Sequence, residues 1–244
     1  MKRKIKVGGV SYLNTKPLLY GITRSPILQE IELSMEYPSL LAKQLKEETI
    51  DIALMPVAAM KDMDDVYIVS DYGIAADGEV ASVCLFSQVP MEAITQVYLD
   101  YQSRTSVKLA EVLLKEYWKK EVHFLPATEH YIEYIRDTKA GVIIGDRALK
   151  QLSNFNYVYD LAKAWKDFTG LPFVFAAWIA RKELPQEFIN AFNEANKEGL
   201  NHIDEVVAQN PFPYFDLKKY YTQNIHYWLS QEKKTGLQRF LQML

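Results

Sequence analysis

VGGVSYLNTKPLLYG, residues 7–21, is the stretch around which the chain is organised. An apolar run over residues 5–10 ends in a polar elbow of Ser11, Asn14, Thr15 and Lys16, and Pro17 follows where a helix would begin. Proline suits a first helical turn because the N–H it lacks has no partner there to lose. The pattern predicts a strand that delivers side chains to the rim of an open α/β sheet, where a helix N-terminus offers N–H groups to an anion. Asn14, with Ser11 beside it, is the first candidate on that ground.

The strand-then-helix rhythm continues outward. Residues 31–36 alternate as a strand does, and residues 38–48 space Leu40, Leu41 and Leu45 as a helix does. Residues 50–55 form a short apolar run bounded by Pro56, as expected of a strand buried on both faces. Residues 67–74 and 80–86 read as two strands joined by a tight Asp77-Gly78 reversal, with Ser82 inside the second. A serine there is either a tolerated small residue or a ligand, and its own segment does not decide between them.

After Pro90 the rhythm restarts with strands predicted at 96–99, 122–125 and 140–144 and helices at 107–118, 128–136 and 148–152. Ser103-Arg104-Thr105-Ser106 is a hydroxyl-rich helix start with a cation inside it, suited to a carboxylate or simply to capping. Gly145-Asp146 closes an apolar run as the first motif does: the glycine admits a ligand to the backbone, and the acid either faces that ligand or caps the next helix. Residues 168–180, FTGLPFVFAAWIA, predict a turn bearing Thr169 and then a central strand without strict alternation. From Pro185 onward the pattern is helical, and the tyrosine-rich stretch 214–228 reads as packing between units.

These elements predict two α/β units, residues 1–87 and 88–172. Residues 173–244 are expected to return to the first unit, whose apolar strands have few helices of their own to cover them. Two lobes joined near residues 87–90 and 170–173 would open and close about a cleft. Onto that cleft converge Asn14, Ser11, Ser82, Arg104, Thr105, Ser106, Gly145, Asp146 and Thr169, a set rich in neutral donors and poor in bases.

Composition bounds the function. The 244 residues are 49% hydrophobic and 24% charged, an ordinary globular balance, and a net charge of −3 gives no basic excess for nucleic acid or an acidic membrane surface. Cys84 is the single cysteine and lies in an apolar run, so neither an internal disulfide nor a thiolate zinc cluster is available. The start MKRKIKVGG is basic with no signal-length apolar stretch after it, and no run approaches the roughly 18 apolar residues of a membrane span. The chain therefore reads as cytoplasmic. It contains no Gly-x-Gly-x-x-Gly, P-loop, His-Glu-x-x-His, Gly-x-Ser-x-Gly or Cys-x-x-Cys, and His123, His130, His202 and His226 share no ligand spacing.

Five segments in order, V-G-G-V-S-Y-L-N-T-K-P-L, D-G-E-V-A-S-V-C-L-F-S, S-R-T-S, I-I-G-D-R-A-L and W-K-D-F-T-G-L-P-F-V-F-A-A-W, resemble the chorismate dehydratases of the futalosine route to menaquinone. The resemblance covers most of residues 5–180 and implies an α/β, two-lobed, type 2 periplasmic-binding-protein-like fold. It also implies an enzyme without metal or organic cofactor that removes water from chorismate to give 3-[(1-carboxyvinyl)oxy]benzoate. It places Asn14 and Ser82 at the reacting centre, with residues 104–106 and Gly145-Asp146 as a substrate clamp. Asp146 and Glu79 stay open as protein bases, and in this family the substrate's own side-chain carboxylate is thought to take the proton.

The sister 1,4-dihydroxy-6-naphthoate synthases resemble this chain less, because they carry a His-Glu pair where it has Gly145-Asp146. A small-anion solute-binding protein would share the fold but is expected to carry a secretion signal or anchor cysteine near its start. Oligomeric state is not legible in the sequence.

Overall fold

A computed structural model describes residues 3–244; Met1 and Lys2 of the basic start lie outside the described residues. The chain begins with β1 (Ile5–Gly9), α1 (Lys16–Arg24), β2 (Ile31–Met35), α2 (Pro38–Lys46), β3 (Ile52–Pro56) and β4 (Tyr67–Ala76). It continues through β5 (Val83–Ser87), β6 (Gln96–Leu99), α3 (Thr105–Val112), β7 (His123–Pro126), β8 (Lys139–Ile144), α4 (Gly145–Gln151), β9 (Tyr157–Asp160) and α5 (Leu161–Thr169). Last come β10 (Phe173–Ala180), α6 (Gln186–Asn201), α7 (Ile203–Gln209), the single turn α8 (Leu217–Lys219), β11 (His226–Trp228) and α9 (Gln231–Gln242).

The strands form two sheets. One has the order β11-β4-β10-β3-β1-β2 and the other β7-β6-β8-β5-β9. In the first, β1 runs parallel to β2 and β3 (Val7 opposite Leu33 and Ile52), and β10 lies antiparallel between β3 and β4. Seven of the eight β10 residues are buried, on both faces as its unbroken apolar run predicts.

The C-terminal helices cover this first sheet, and their tightest contact is α1 on α6. A Cβ on Gly21 would lie 1.9 Å from the Ala195 carbonyl oxygen, and one on Gly199 would lie 1.8 Å from that of Pro17. Only glycine lets the two backbones touch there, and this contact seats the helix that follows Asn14.

Four expectations need correction. Residues 83–87 do not complete a hairpin with β4. They pair antiparallel with β8 and β9 of the second sheet (Val83 opposite Ile144, Cys84 opposite Asp160), so the chain crosses between sheets at residues 77–82 rather than near 87–90. The apolar strand β5 finds two partners in the second sheet, whereas β4 is already flanked by β10 and β11. The helix predicted at 128–136 is only a 3-10 turn, Tyr131–Tyr134, and β9 and β11 are strands inside stretches read as loop or helix.

Candidate active site

A cavity enclosing about 600 Å³ of empty space, part of it open to solvent, lies between the two sheets. Leu54, Pro56, Ile74, Phe175 and Ala176 from the first sheet form an apolar floor. Over it stand Tyr12, Asn14, Thr15, Ser82, Gln102, Ser103, Thr105 and Ser106, with Ile144 and Gly145 completing the far wall. Among the described residues, none that lines it carries a carboxylate, an imidazole, an ammonium or a guanidinium.

Asn14 lies in the 3-10 turn between β1 and α1. Its Oδ1 accepts the Thr15 hydroxyl at 3.1 Å, which leaves the amide NH2 free to donate. Ser82 is fully buried and sits in the crossing just before β5, not within the strand as its sequence suggested. Its backbone is held from several sides. Asp160 Oδ2 accepts the N–H groups of Val80 (2.9 Å) and Ala81 (2.7 Å), the Ser82 N–H reaches Val80 O at 2.7 Å, and the Ser82 carbonyl accepts the Gly145 N–H at 2.7 Å. Ala81 adopts a left-handed φ of 61°, a conformation an L-residue occupies only when its surroundings impose it. The last of these bonds follows from register, because antiparallel pairing sets the start of β5 beside the end of β8.

From the second sheet, Thr105 and Ser106 open α3 at the carboxyl end of β6, and both are buried. Thr105 Oγ1 accepts the Ala58 N–H at 3.1 Å across the cleft, so its own proton remains for a ligand. Gly145 has φ +62°, and Tyr12 lies over it, with ring carbons 3.7–3.8 Å from where a Cβ would be. The Tyr12 hydroxyl donates to Gln102 Oε1 at 2.8 Å and ties the two halves together over the cavity. Burial holds that phenol well above its ordinary acidity range, so it remains a donor.

Four candidates fall outside the cavity lining. Ser11 is exposed at the elbow. Arg104 pairs at the surface with Asp62 at 2.5 Å, because the turn before α3 aims its long side chain outward while the two residues after it point in. Thr169 donates to the Trp165 carbonyl at 2.8 Å and accepts the Leu171 N–H at 3.2 Å, so it finishes α5. Asp146 acts as a strut: its Oδ1 accepts the Leu13 N–H at 3.0 Å, joining α4 to the turn that holds Asn14. The residues that sequence reasoning missed are Tyr12, Gln102 and Ser103. Tyr12 and Ser103 lie inside the V-S-Y-L-N and S-R-T-S motifs, beside the residues chosen there.

Burial raises the pKa of Asp146 from its ordinary carboxyl value, against the smaller opposing pull of the Leu13 N–H and of Lys150 and Lys16. A carboxyl whose pKa rises on folding favours the folded state most on the acid side, and that benefit is lost as pH climbs through the raised value. Asp146→Asn keeps an acceptor for Leu13. In urea unfolding over a pH series, wild type is expected to lose stability relative to this variant from the usual carboxylate range upward. A pH-independent difference would contradict the assignment.

The family described as menaquinone biosynthesis matches residues 5–244. The chorismate dehydratase of Thermus thermophilus is 28% identical, with 99% of this chain and 96% of the relative covered. That of Campylobacter jejuni is also 28% identical, over 96% of this chain and 95% of the relative. Among solved structures, the periplasmic aliphatic sulphonate binding protein SsuA from Escherichia coli superposes with a TM-score of 0.63 at 13% identity, covering 100% of this chain and 92% of that one. That likeness shows a periplasmic-binding-protein-like fold, with which the two sheets and the cavity between them agree. With a match over nearly its whole length added to that fold, the chain belongs to the menaquinone biosynthesis family.

Proposed function

We propose that this protein is a chorismate dehydratase, a hydro-lyase that converts chorismate to 3-[(1-carboxyvinyl)oxy]benzoate and water. The observation that carries the reading is a cavity lined by hydrogen-bond donors and apolar surface, with no charged side chain among the described residues that line it. The relatives' names supply the substrate. We place the reaction in the cytoplasm, as fits a biosynthetic step. Among the described residues no helix is long and apolar enough to cross a membrane.

The chemistry asks little of a protein base. The ring carbon that carries the enolpyruvyl ether loses its proton, and the electron pair is delocalised through the adjoining double bond toward the ring carboxylate. Hydroxide leaves the neighbouring carbon and the ring becomes aromatic. The substrate's own enolpyruvyl carboxylate takes the ring proton and passes it to the departing hydroxide, so the products are the benzoate ether and water. Asp146 is occupied by Leu13, and Glu79 is exposed away from the lining, so neither is assigned as base.

Asn14 and Ser82 are the residues assigned to the reacting centre. Both present protons that strengthen their bonds as charge develops on a carboxylate or on the leaving oxygen. Thr105, Ser106 and the first turn of α3 hold the other carboxylate. The apolar floor gives the ring a surface to pack on, and the direct bonds across the cleft from Tyr12, Asp146 and Thr105 hold the lobes together around it.

Purified protein mixed with chorismate is expected to replace the cyclohexadiene ultraviolet absorption with that of a benzoate ether. Binding without conversion would instead make it a solute-binding protein of the same fold and end the enzyme reading.

A further inference from the structure

Ser82 Oγ and Tyr220 Oη lie 2.7 Å apart, both residues are fully buried, and among the described residues each oxygen has only the other as a hydrogen-bond partner. Tyr220 arrives from the far end of the sequence, in the turn Tyr220–Asn224 that follows α8 and precedes β11. The turn is anchored by Asp216, which caps α8 through the Lys219 N–H at 3.0 Å, and by the edge of the Phe215 ring against Tyr220. Tyr220 is sealed from solvent, and Ser82 is open only toward the cavity it lines.

Proton accounting then fixes the direction of the bond. A phenol has one proton, and if Ser82 donated to Tyr220, that phenol proton would be left buried without an acceptor. Tyr220 therefore donates and Ser82 accepts. The Ser82 proton is left without an acceptor inside the protein, and the open side of Ser82 is the cavity it lines. Burial also holds the phenol far above its ordinary acidity range, so the donor does not ionise.

We propose that Tyr220 is a positioning residue for the dehydration. Its hydroxyl occupies a lone pair of Ser82 Oγ, turning the Ser82 proton into the cavity toward the oxygen on which charge develops. This rests on the assignment of Ser82 to the reacting centre. The hydrogen bond also polarises the Ser82 O–H, which makes it a stronger donor than a free serine.

The test is steady-state turnover of chorismate by the full chain as wild type, Tyr220→Phe, Ser82→Ala and the double variant. Ser82→Ala is expected to lower kcat by about two orders of magnitude, as removal of one preorganised donor does. Tyr220→Phe frees the Ser82 hydroxyl among its three staggered positions and removes its polarisation, so kcat is expected to fall about 3- to 10-fold while KM stays within about twofold. In the Ser82→Ala background the same change is expected to cause no further loss.

An equal loss in both backgrounds would mean that Tyr220 acts on the fold, and an unchanged kcat in Tyr220→Phe would mean that it does not act on Ser82. Either result overturns the proposal while leaving Ser82 in place. Wild-type turnover by Ser82→Ala would overturn the assignment of Ser82 itself, and that of Tyr220 with it. Should Tyr220→Phe not fold, neutron diffraction from the wild-type protein decides: a deuteron on Tyr220 Oη directed at Ser82 supports the proposal, and a Ser82 deuteron directed at Tyr220 overturns it.

Discussion

Asn14→Ala is expected to lower kcat for chorismate by about 10²- to 10³-fold, the usual effect of removing one preorganised donor from a reacting centre. Stability should change by less than about 1 kcal/mol. Asn14 is half-buried, and its side chain makes one hydrogen bond, with the neighbouring Thr15 hydroxyl, that folding could lose. Activity and stability therefore separate at this residue. Asn14→Asp is the sharper variant: it keeps the shape and the acceptor for Thr15 but exchanges the NH2 for a negative charge facing a dianion, so KM should rise along with the loss in kcat. Turnover assays beside thermal melts check both, and Asn14→Ala with wild-type turnover would take Asn14 out of the reacting centre.

Asp100→Ala carries the largest expected effect on stability. Its side chain is fully buried, and Arg147 Nη2 lies 2.8 Å from each of its carboxylate oxygens. The same carboxylate accepts the Tyr131 hydroxyl at 2.9 Å, the Ile144 N–H at 3.2 Å and the Gln102 N–H at 2.8 Å. One side chain thus gathers the end of β6, the end of β8 and the start of α4, the elements that carry Gln102 and Gly145 to the cavity.

Truncation leaves the Arg147 guanidinium largely buried without its partner, and breaking a buried pair from one side costs about 3–5 kcal/mol. For a chain of this size that corresponds to a fall in Tm of about 10 °C. Removing both charges in Asp100→Leu/Arg147→Met should restore much of the loss, because no unpaired charge then remains. Calorimetry on the three variants tests the claim. An Asp100→Ala shift below about 2 °C would mean that the pair does not organise the second lobe.

The sequence alone determined the elements whose period or punctuation is local. The elbow after β1, with Pro17 in the first turn of α1, and the buried run of β10 are written in neighbouring residues. So is the scarcity of bases among the candidates, although residue type and motif alone proposed Arg104 and Asp146 on the same footing as Asn14, Thr105, Ser106 and Gly145.

Tertiary structure decided what depends on partners far away in the chain. Asp77-Gly78 looks like a hairpin turn, but β5 pairs with β8 and β9 and carries Ser82 into the crossing, where Asp160 and the left-handed Ala81 hold it. Arg104 and Thr105 are adjacent and chemically plausible ligands alike. A helix start turns them to opposite sides, and only the packed position of α3 says which side faces the cavity. Tyr220 lies 138 positions from Ser82, and no local pattern can announce a bond whose two atoms meet only after the C-terminal segment has packed. Periodicity is a property of neighbours along the chain, whereas a hydrogen bond across a cleft is a property of two surfaces brought together by burial.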